Sequence, residues 1–351
     1  MNKLNDMIAN AAKLAVQKPN EGEALNWNGP ALSQAVKNWY ADAISKTGAC
    51  VLIDADDYAL SLRKPSLSPT TVIWSGRPVP DGYSRPQNWS FSQRMPSDLY
   101  ATDAAILSEA KAASSMLAIQ QALHNRTTGE AWVASDSTQV IIAPFLLNVL
   151  DDPLRAMALS EITRVLSVDG CFKTLVLAAD ETLLDTRLAV EGHDCLAFPR
   201  ENEIAKILLA AGCHGVTLTS LLDRPYMIVD GVELRAFSVR AYTGTKGICL
   251  DQGDAAVYLG PWSEVRDDDG HCYPRGTRIA VCAKTAQILQ RPPYVGRFKI
   301  IEAYDRPTLE DAVLFDCSQD VIRPVAETKG LAPIGCSAAR GSDSNDTDCG
   351  C

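Results

Sequence analysis

Apolar positions along the chain gather into stretches whose spacing sets the expected elements. Leu4, Met7, Ile8, Ala11 and Leu14 recur with a helical period, and so do Leu32, Val36, Trp39 and Tyr40 in "ALSQAVKNWYADAISK". This predicts two amphipathic helices joined by the linker-like "QKPNEGEALNWNGP". "GACVLID" opens on a turn and ends in a short strand-like run. Residues 61–98 are rich in Pro, Ser and Arg and read as extended, irregular chain apart from "TTVIW"; from Ala104 to Leu123 a helical pattern returns with Ile106, Leu107, Met116, Leu117, Ile119 and Leu123.

The second half is more regular. "TQVIIAPFLLNVL" is the unbroken apolar run of a buried parallel strand entering a loop, a helix follows from Pro153 to Leu166, and "GCFKTLVLAAD" supplies a second buried strand. Pro153 behind Asp151 and Asp152 suits a helix start. Strand, helix, strand is the unit of a parallel sheet. A further helix, Glu201 to Ala211, is stopped by Gly212 and followed by a strand, and "ELRAFSVRAYTG" alternates as a late strand of the same sheet. The pieces "AAVYLGPW", "TRIAVCAK" and "GRFKIIEAY" predict a small antiparallel unit, and the polar "AARGSDSNDTDCGC" predicts disorder.

The expected organisation is therefore an N-terminal helical region (1–60), a truncated α/β domain (61–244), a C-terminal β-rich unit (245–330) and a Cys-containing tail (331–351). A length of 351 residues suits about two domains. The net charge of -10 argues against a nucleic-acid partner, because phosphate-backbone affinity comes from lysine and arginine displacing counterions. No run approaches the ~18 apolar residues of a membrane span, and Asp6 and Asn10 interrupt any signal-peptide core. A soluble, cytoplasmic protein is expected. Eleven cysteines, odd in number, irregularly spaced and without a CxxC pair, predict reduced thiols rather than a disulfide framework or a zinc knuckle.

Taken in order, "VIIAPFLLNVLDD", "SEITRVLSVDG", "HDCLAF", "LLAAGCHGV", "ELRAFSVRAY", "AAVYLGPW", "RGTRIAVC" and the terminal "CGC" resemble arsenite methyltransferases. These are S-adenosylmethionine-dependent enzymes of class I that methylate trivalent arsenic held on cysteine thiolates. "VKNWYADAISKTGAC", "WSGRPVPDG" and "ATDAAILSEAKAA" extend the resemblance more faintly towards the N-terminus. It implies an α/β fold: an incomplete Rossmann-like methyltransferase sheet with N-terminal helices and a small C-terminal antiparallel β unit.

In that alignment residues 83–100, "YSRPQNWSFSQRMPSDLY", stand where the family has a strand, the glycine-rich turn, a helix and a second strand. Such a unit needs about thirty residues. The glycine-rich turn lets backbone approach the cofactor at a helix N-terminus, and no G-x-G occurs in the first 200 residues. The expected consequence is loss of S-adenosylmethionine binding, with Asp98 at most a remnant of the ribose-binding acid.

The resemblance carries the metalloid-holding cysteines of the family onto Cys50, Ser75, Phe145 and Cys195, so two of four positions keep a thiol. A trivalent metalloid is a soft centre suited to thiolates. Beside this stands the plain reading of Cys50 and Cys195 as small buried hydrophobes, which is favoured outright for Cys171, Cys213, Cys249 and Cys282. His193, two residues before Cys195, is placed to lower the proton affinity of that thiol. Asn148 falls where the family sets polar groups towards the methyl-transfer cleft, or it caps the following turn. Cys349 and Cys351 could act as a two-thiol clip for soft ions, against the plain reading of a tail inherited without use. In "RDDDGHCYPRG", Asp267, Asp268, Asp269, His271 and Cys272 read as a solvated hairpin turn ahead of a metal or acid/base site.

The function expected is that of a methyltransferase-like protein without cofactor, acting as a partner subunit or homo-oligomer, or binding a metalloid or small ligand through thiols. The alternatives are an active S-adenosylmethionine enzyme with a rebuilt site, Trp89 and Phe91 stacking on adenine, and an enzyme with a cysteine nucleophile at Cys195 or Cys50.

Overall fold

The computed structural model describes residues 29–44, 49–54, 57–62, 70–74, 89–93, 133–184, 187–244 and 247–335. They fall into two compact units divided between Thr243 and Gly244.

The first unit begins with helix α1 (Gly29–Ile44), strand β1 (Cys50–Ile53), helix α2 (Asp57–Leu62) and strands β2 (Thr70–Trp74) and β3 (Trp89–Gln93). Strand β4 (Thr138–Ile142) leads into the short helix α3 (Leu146–Val149), helix α4 (Asp152–Val165) and the long strand β5 (Leu166–Ala179). A hairpin of β6 (Leu188–Val190) and β7 (His193–Cys195), helix α5 (Ile204–Ala210), and strands β8 (Cys213–Ser220), β9 (Met227–Val229) and β10 (Val232–Thr243) complete it.

One sheet has the order β3-β2-β1-β4-β5-β10-β8, with β9 also on β10. The pairs from β3 through β5 are parallel, and β10 is antiparallel to β5, β8 and β9. Together with the N-terminal helices and the smaller antiparallel pieces this is a mixed α/β architecture, an incomplete Rossmann-like fold.

The apolar runs read from the sequence are explained by burial on both faces of this sheet. On β5, Leu175, Leu177 and Ala179 pack with Leu32, Val36, Trp39 and Tyr40 of α1, while Phe172, Val176 and Ala178 pack with Leu159 and Ile162 of α4 and Leu208 of α5. Asp151 caps α4, its side chain accepting from Leu154 N at 3.1 Å, and Pro153 sits in the first turn.

One difference from the sequence reading is topological. The segment 83–100 supplies β3, and "CVLI", which the sequence grouped with the N-terminal helices, becomes β1 in the middle of the sheet, with β2 and β4 on either side. Strand neighbours are set by pairing between distant segments, which local periodicity does not report. Between β1 and its parallel partner β2 the described residues form the short helix α2.

The second unit contains β11 (Leu250–Asp251), β12 (Ala255–Tyr258), β13 (Glu264–Arg266), β14 (Cys272–Pro274), β15 (Arg278–Ala280), helix α6 (Ala283–Ile288), β16 (Phe298–Ile301), β17 (Val313–Leu314) and helix α7 (Val325–Thr328). Its ladders, β15-β12-β16, β13-β14 and β11-β17, are all antiparallel. Tyr258, Tyr273, Ile279, Val281 and Leu289 make its core. A buried guanidinium ties β11 to α7: Arg323 donates to Asp251 Oδ1 at 2.6 Å and to Glu327 Oε2 at 2.7 Å. Breaking such a buried set strands an uncompensated charge.

Candidate thiol centre

Three cysteines of the second unit meet in space. Cys249 precedes β11, and its carbonyl accepts Phe315 N at 3.0 Å, so the two-residue β11–β17 ladder is continued to the turn that holds Cys317. Cys282 lies just after β15 and caps α6, its sulfur 3.4 Å from Thr285 N and 3.3 Å from Thr285 Oγ1. The strand order thereby brings residues distant in sequence together, and the Sγ atoms of Cys249, Cys282 and Cys317 all lie within 4.8 Å of one another. Cys282 is buried, whereas Cys249 and Cys317 are half-buried.

The thiols differ in proton affinity. Burial would raise Cys249, but the neighbouring thiols of Cys317 and Cys282 and the Lys284 ammonium favour its charged form and bring it below the ordinary thiol value. Lys284 is held in place by donating to Gly247 O at 2.7 Å. Burial, and then the interaction with Cys249, pushes Cys317 up. Cys249 is thus the sulfur favoured as a thiolate, beside a Cys317 that holds its proton.

The donor set fits a thiophilic ion. Thiolates are the ligands of soft and borderline centres, and a tetrahedral centre with metal–sulfur bonds of about 2.3 Å sets its sulfurs about 3.8 Å apart. Three sulfurs spread over no more than 4.8 Å need to close by about 1 Å. Among the described residues no histidine or carboxylate joins the trio, which leaves three sulfur donors.

The turn of Cys317 is fixed from outside. His271 Nε2 lies 2.9 Å from Cys317 O and its Nδ1 2.8 Å from Asp267 Oδ2. A carbonyl and an ionised carboxylate only accept hydrogen bonds, so both ring nitrogens donate and the imidazole is protonated. The hydrogen bond to Asp267 accordingly raises His271 to about 9. Burial would raise Asp267, but the donors His271 and Tyr273 bring it below the usual carboxylate range. "RDDDGHCYPRG" is therefore the hairpin turn the sequence predicted, between β13 and β14. It is not a solvated one at His271 and Asp267, whose side chains are 8% and 11% exposed; Asp268 and Asp269 are exposed.

The residues named from the sequence lie elsewhere. Cys50 heads β1 and Cys195 ends β7, both in the core beside α1. Cys50 Sγ is 3.9 Å from Thr70 Oγ1. Burial pushes the Cys195 thiol up to about 12, with the Asp194 charge adding to it, so it is protonated at neutral pH. His193 is buried and its ring lies 5.3 Å from that of Phe145. Phe145 is fully buried, at φ 56, where the chain turns from β4 into α3. Asn148 is neither a turn cap nor free to face a ligand. Its amide donates to Leu177 O and Ala197 O, each at 2.8 Å, and accepts from Leu177 N at 3.0 Å. Ser75, Asp98, Cys349 and Cys351 lie outside the described residues, and Trp89 and Phe91 fall on β3. Cys171, Cys213 and Cys282 are buried, as expected of core cysteines, but Cys282 and Cys249 also belong to the trio. Cys317, in "FDCSQD", carried no local signal. What the sequence offers is only that all three cysteines stand beside strands of one small antiparallel unit.

In open α/β sheets ligands bind beyond the carboxyl ends of the strands where the strand order reverses. Here that point lies between β1 and β4. The chain leaves β1 at Asp54, buried and at φ 50, and continues Ala55-Asp56-Asp57 without a glycine.

A family model described as a domain of unknown function (DUF8838) matches residues 245–333, the stretch that contains all three cysteines. No curated protein matches the chain. Among solved structures, CrArsM, an arsenic(III) S-adenosylmethionine methyltransferase from Chlamydomonas reinhardtii, is 17% identical with a TM-score of 0.37, over 82% of this chain and 99% of that one. The 1,6-didemethyltoxoflavin-N1-methyltransferase of Burkholderia thailandensis is 12% identical with a TM-score of 0.40, over 62% and 79%. A putative S-adenosylmethionine-dependent methyltransferase from Listeria monocytogenes is 9% identical with a TM-score of 0.37, over 60% and 99%. Likenesses at this level assign neither an activity nor a ligand. Among the described residues no helix is long and apolar enough to cross a membrane.

Proposed function

We propose that this protein binds a thiophilic metal or metalloid ion at Cys249, Cys282 and Cys317, as a methyltransferase-like protein that no longer carries the cofactor. The observation that carries the reading is the convergence of three sulfurs within 4.8 Å, one of them favoured as thiolate by its neighbours. A thiolate is the form that ligates, and the remaining protons leave as the ion is taken up. The half-buried Cys249 and Cys317 give an entering ion access.

The loss of S-adenosylmethionine binding is supported by the glycine-free, acid-bearing turn after β1. A turn that holds the cofactor by close approach of its backbone is built from glycine, which the sequence of this stretch lacks. The kinship with arsenite methyltransferases rests on the sequence motifs, and a role as subunit of another enzyme follows from the same loss. In this reading the ion site has moved from Cys50 and Cys195 to the second unit.

Titration of the reduced full chain with cadmium, and separately with arsenite, tests it through the thiolate-to-metal absorbance. The expected result is one ion per chain that survives Cys349→Ser/Cys351→Ser and is lost in Cys249→Ser or Cys282→Ser. Binding that persists in the Cys249/Cys282/Cys317 triple serine variant overturns the assignment. Binding of S-adenosylmethionine at micromolar concentration restores the methyltransferase reading.

A further inference from the structure

We infer that His271 is the positioning residue for Cys317, and that the β13–β14 hairpin serves to hold the third thiol in the ion site. The inference rests on the ion-binding reading above.

The geometry is specific to one member of the trio. Cys282 is held by its own N-cap contacts with Thr285, and Cys249 by the ladder to Phe315. Cys317 lies in a turn, Asp316 to Asp320, outside any strand or helix. Two bonds tie this turn to the hairpin: His271 Nε2 to Cys317 O at 2.9 Å, and Cys272 N to Asp320 Oδ1 at 2.9 Å. Inside the turn, Ser318 N and Oγ bond Asp316 Oδ1 at 2.9 and 2.6 Å, which shapes it without fixing it to the other thiols.

His271 is itself over-determined. Its backbone N donates to Asp267 Oδ1 at 2.9 Å and its ring to Asp267 Oδ2 at 2.8 Å, and Tyr273 OH donates to that same oxygen at 2.8 Å. A carboxylate with this many donors cannot swing away, so the ring is aimed at Cys317 O by a rigid support. Groups that orient a ligand through a hydrogen bond contribute roughly 10–100-fold to ion affinity in well-studied sites. This gives the Asp267–His271 pair a role beside the ion site without making it a ligand.

The test is site-resolved. The reduced full chain is alkylated with increasing cadmium, and protection of Cys249, Cys282 and Cys317 is read peptide by peptide in wild type, His271→Ala and His271→Gln, each also in a Cys317→Ser background. Gln keeps an amide donor towards Cys317 O. In wild type all three thiols are expected to be protected together. In His271→Ala the cadmium needed to protect Cys317 rises roughly tenfold or more, His271→Gln recovers part of it, and neither changes protection of Cys249 and Cys282 in the Cys317→Ser background. Equal protection of Cys317 in wild type and His271→Ala overturns the inference. So does an equal loss with and without Cys317, which marks a general structural role.

If wild type shows no protection at any of the three, the ion-binding reading fails by itself. The positioning role is then decided by the ion-free alkylation rate of Cys317 relative to Cys249. A rise in His271→Ala upholds it, and no change rejects it.

Discussion

Cys249 and Cys195 show how strongly surroundings separate two cysteines that composition treats alike. Cys249 is half-buried with an ammonium and two thiols beside it, and its thiolate forms more readily than an ordinary one. Cys195 is wholly buried beside an aspartate and holds its proton up to about 12. Since the thiolate is the nucleophile, the pH profile of iodoacetamide labelling should reach half-maximum for Cys249 below the ordinary thiol range, while folded Cys195 stays unlabelled at pH 9. Early labelling of Cys195 refutes this. Asn148 makes a second residue-level case. Its amide closes three hydrogen bonds between β5 and the chain beyond β7, so Asn148→Ala leaves buried backbone groups unpaired. A loss of at least about 2 kcal/mol in urea unfolding is expected. In the second unit, Gly253 stands at φ 81, and a Cβ there would lie 2.7 Å from Ile334 Cδ1 and 2.9 Å from Ala303 Cβ. Gly253→Ala should destabilise by about 1–3 kcal/mol by the same measure.

Regular elements were legible where their signal is local. Asp151, Asp152 and Pro153 mark the start of α4 in the sequence, and Gly212 ends the α5 region with φ 86. The alternation in "ELRAFSVRAYTG" becomes β10, and the apolar run before Asp151 becomes β4 with α3. Placement of β1 and β3 was not legible, because a strand of four or five residues reads alike at the edge and at the centre of a sheet. The thiol trio was hidden for the same reason: each cysteine is ordinary alone, and only the register of β11 on β17 and the turn after β15 bring them together. The hairpin of β13 and β14 was recognised by its Asp-Asp-Gly turn, but the burial of His271 depends on Cys317, which is distant in sequence. The hydrogen bond from the His271 ring to Asp267 has a pH signature. His271 is raised from 6.5 to about 9 on folding, so its stabilisation is complete below about pH 6.5 and is lost as pH rises through about 9. Unfolding of wild type should therefore become easier between pH 7 and 10, by at most about 3 kcal/mol. In His271→Gln this part of the slope should vanish, and an unchanged slope refutes the assignment.

The chain as a whole joins a sheet-based unit with a continuous two-faced core to a second unit built from short ladders, two of which have two or three residues per strand. An ion that binds only the folded state stabilises it in proportion to the logarithm of its concentration, by about 2.7 kcal/mol at a hundred times Kd. Hydrogen exchange with and without cadmium should then slow in peptides from 247–335 and stay unchanged in 133–244. Slowing in both alike, or in neither, contradicts the proposed site. The two-residue ladder between β11 and β17 has one more consequence. Cys249, Cys282 and Cys317 are separated by long stretches of chain, and an ion seated on all three shuts two large loops at once, taking from the unfolded chain the freedom that a pair of cross-links would take. A ladder of that length has little hold of its own, so if the proposed site takes up its ion, the persistence of this part of the molecule would become a reading of how much soft ion surrounds it: folded in plenty, opened and exposed to proteases in scarcity.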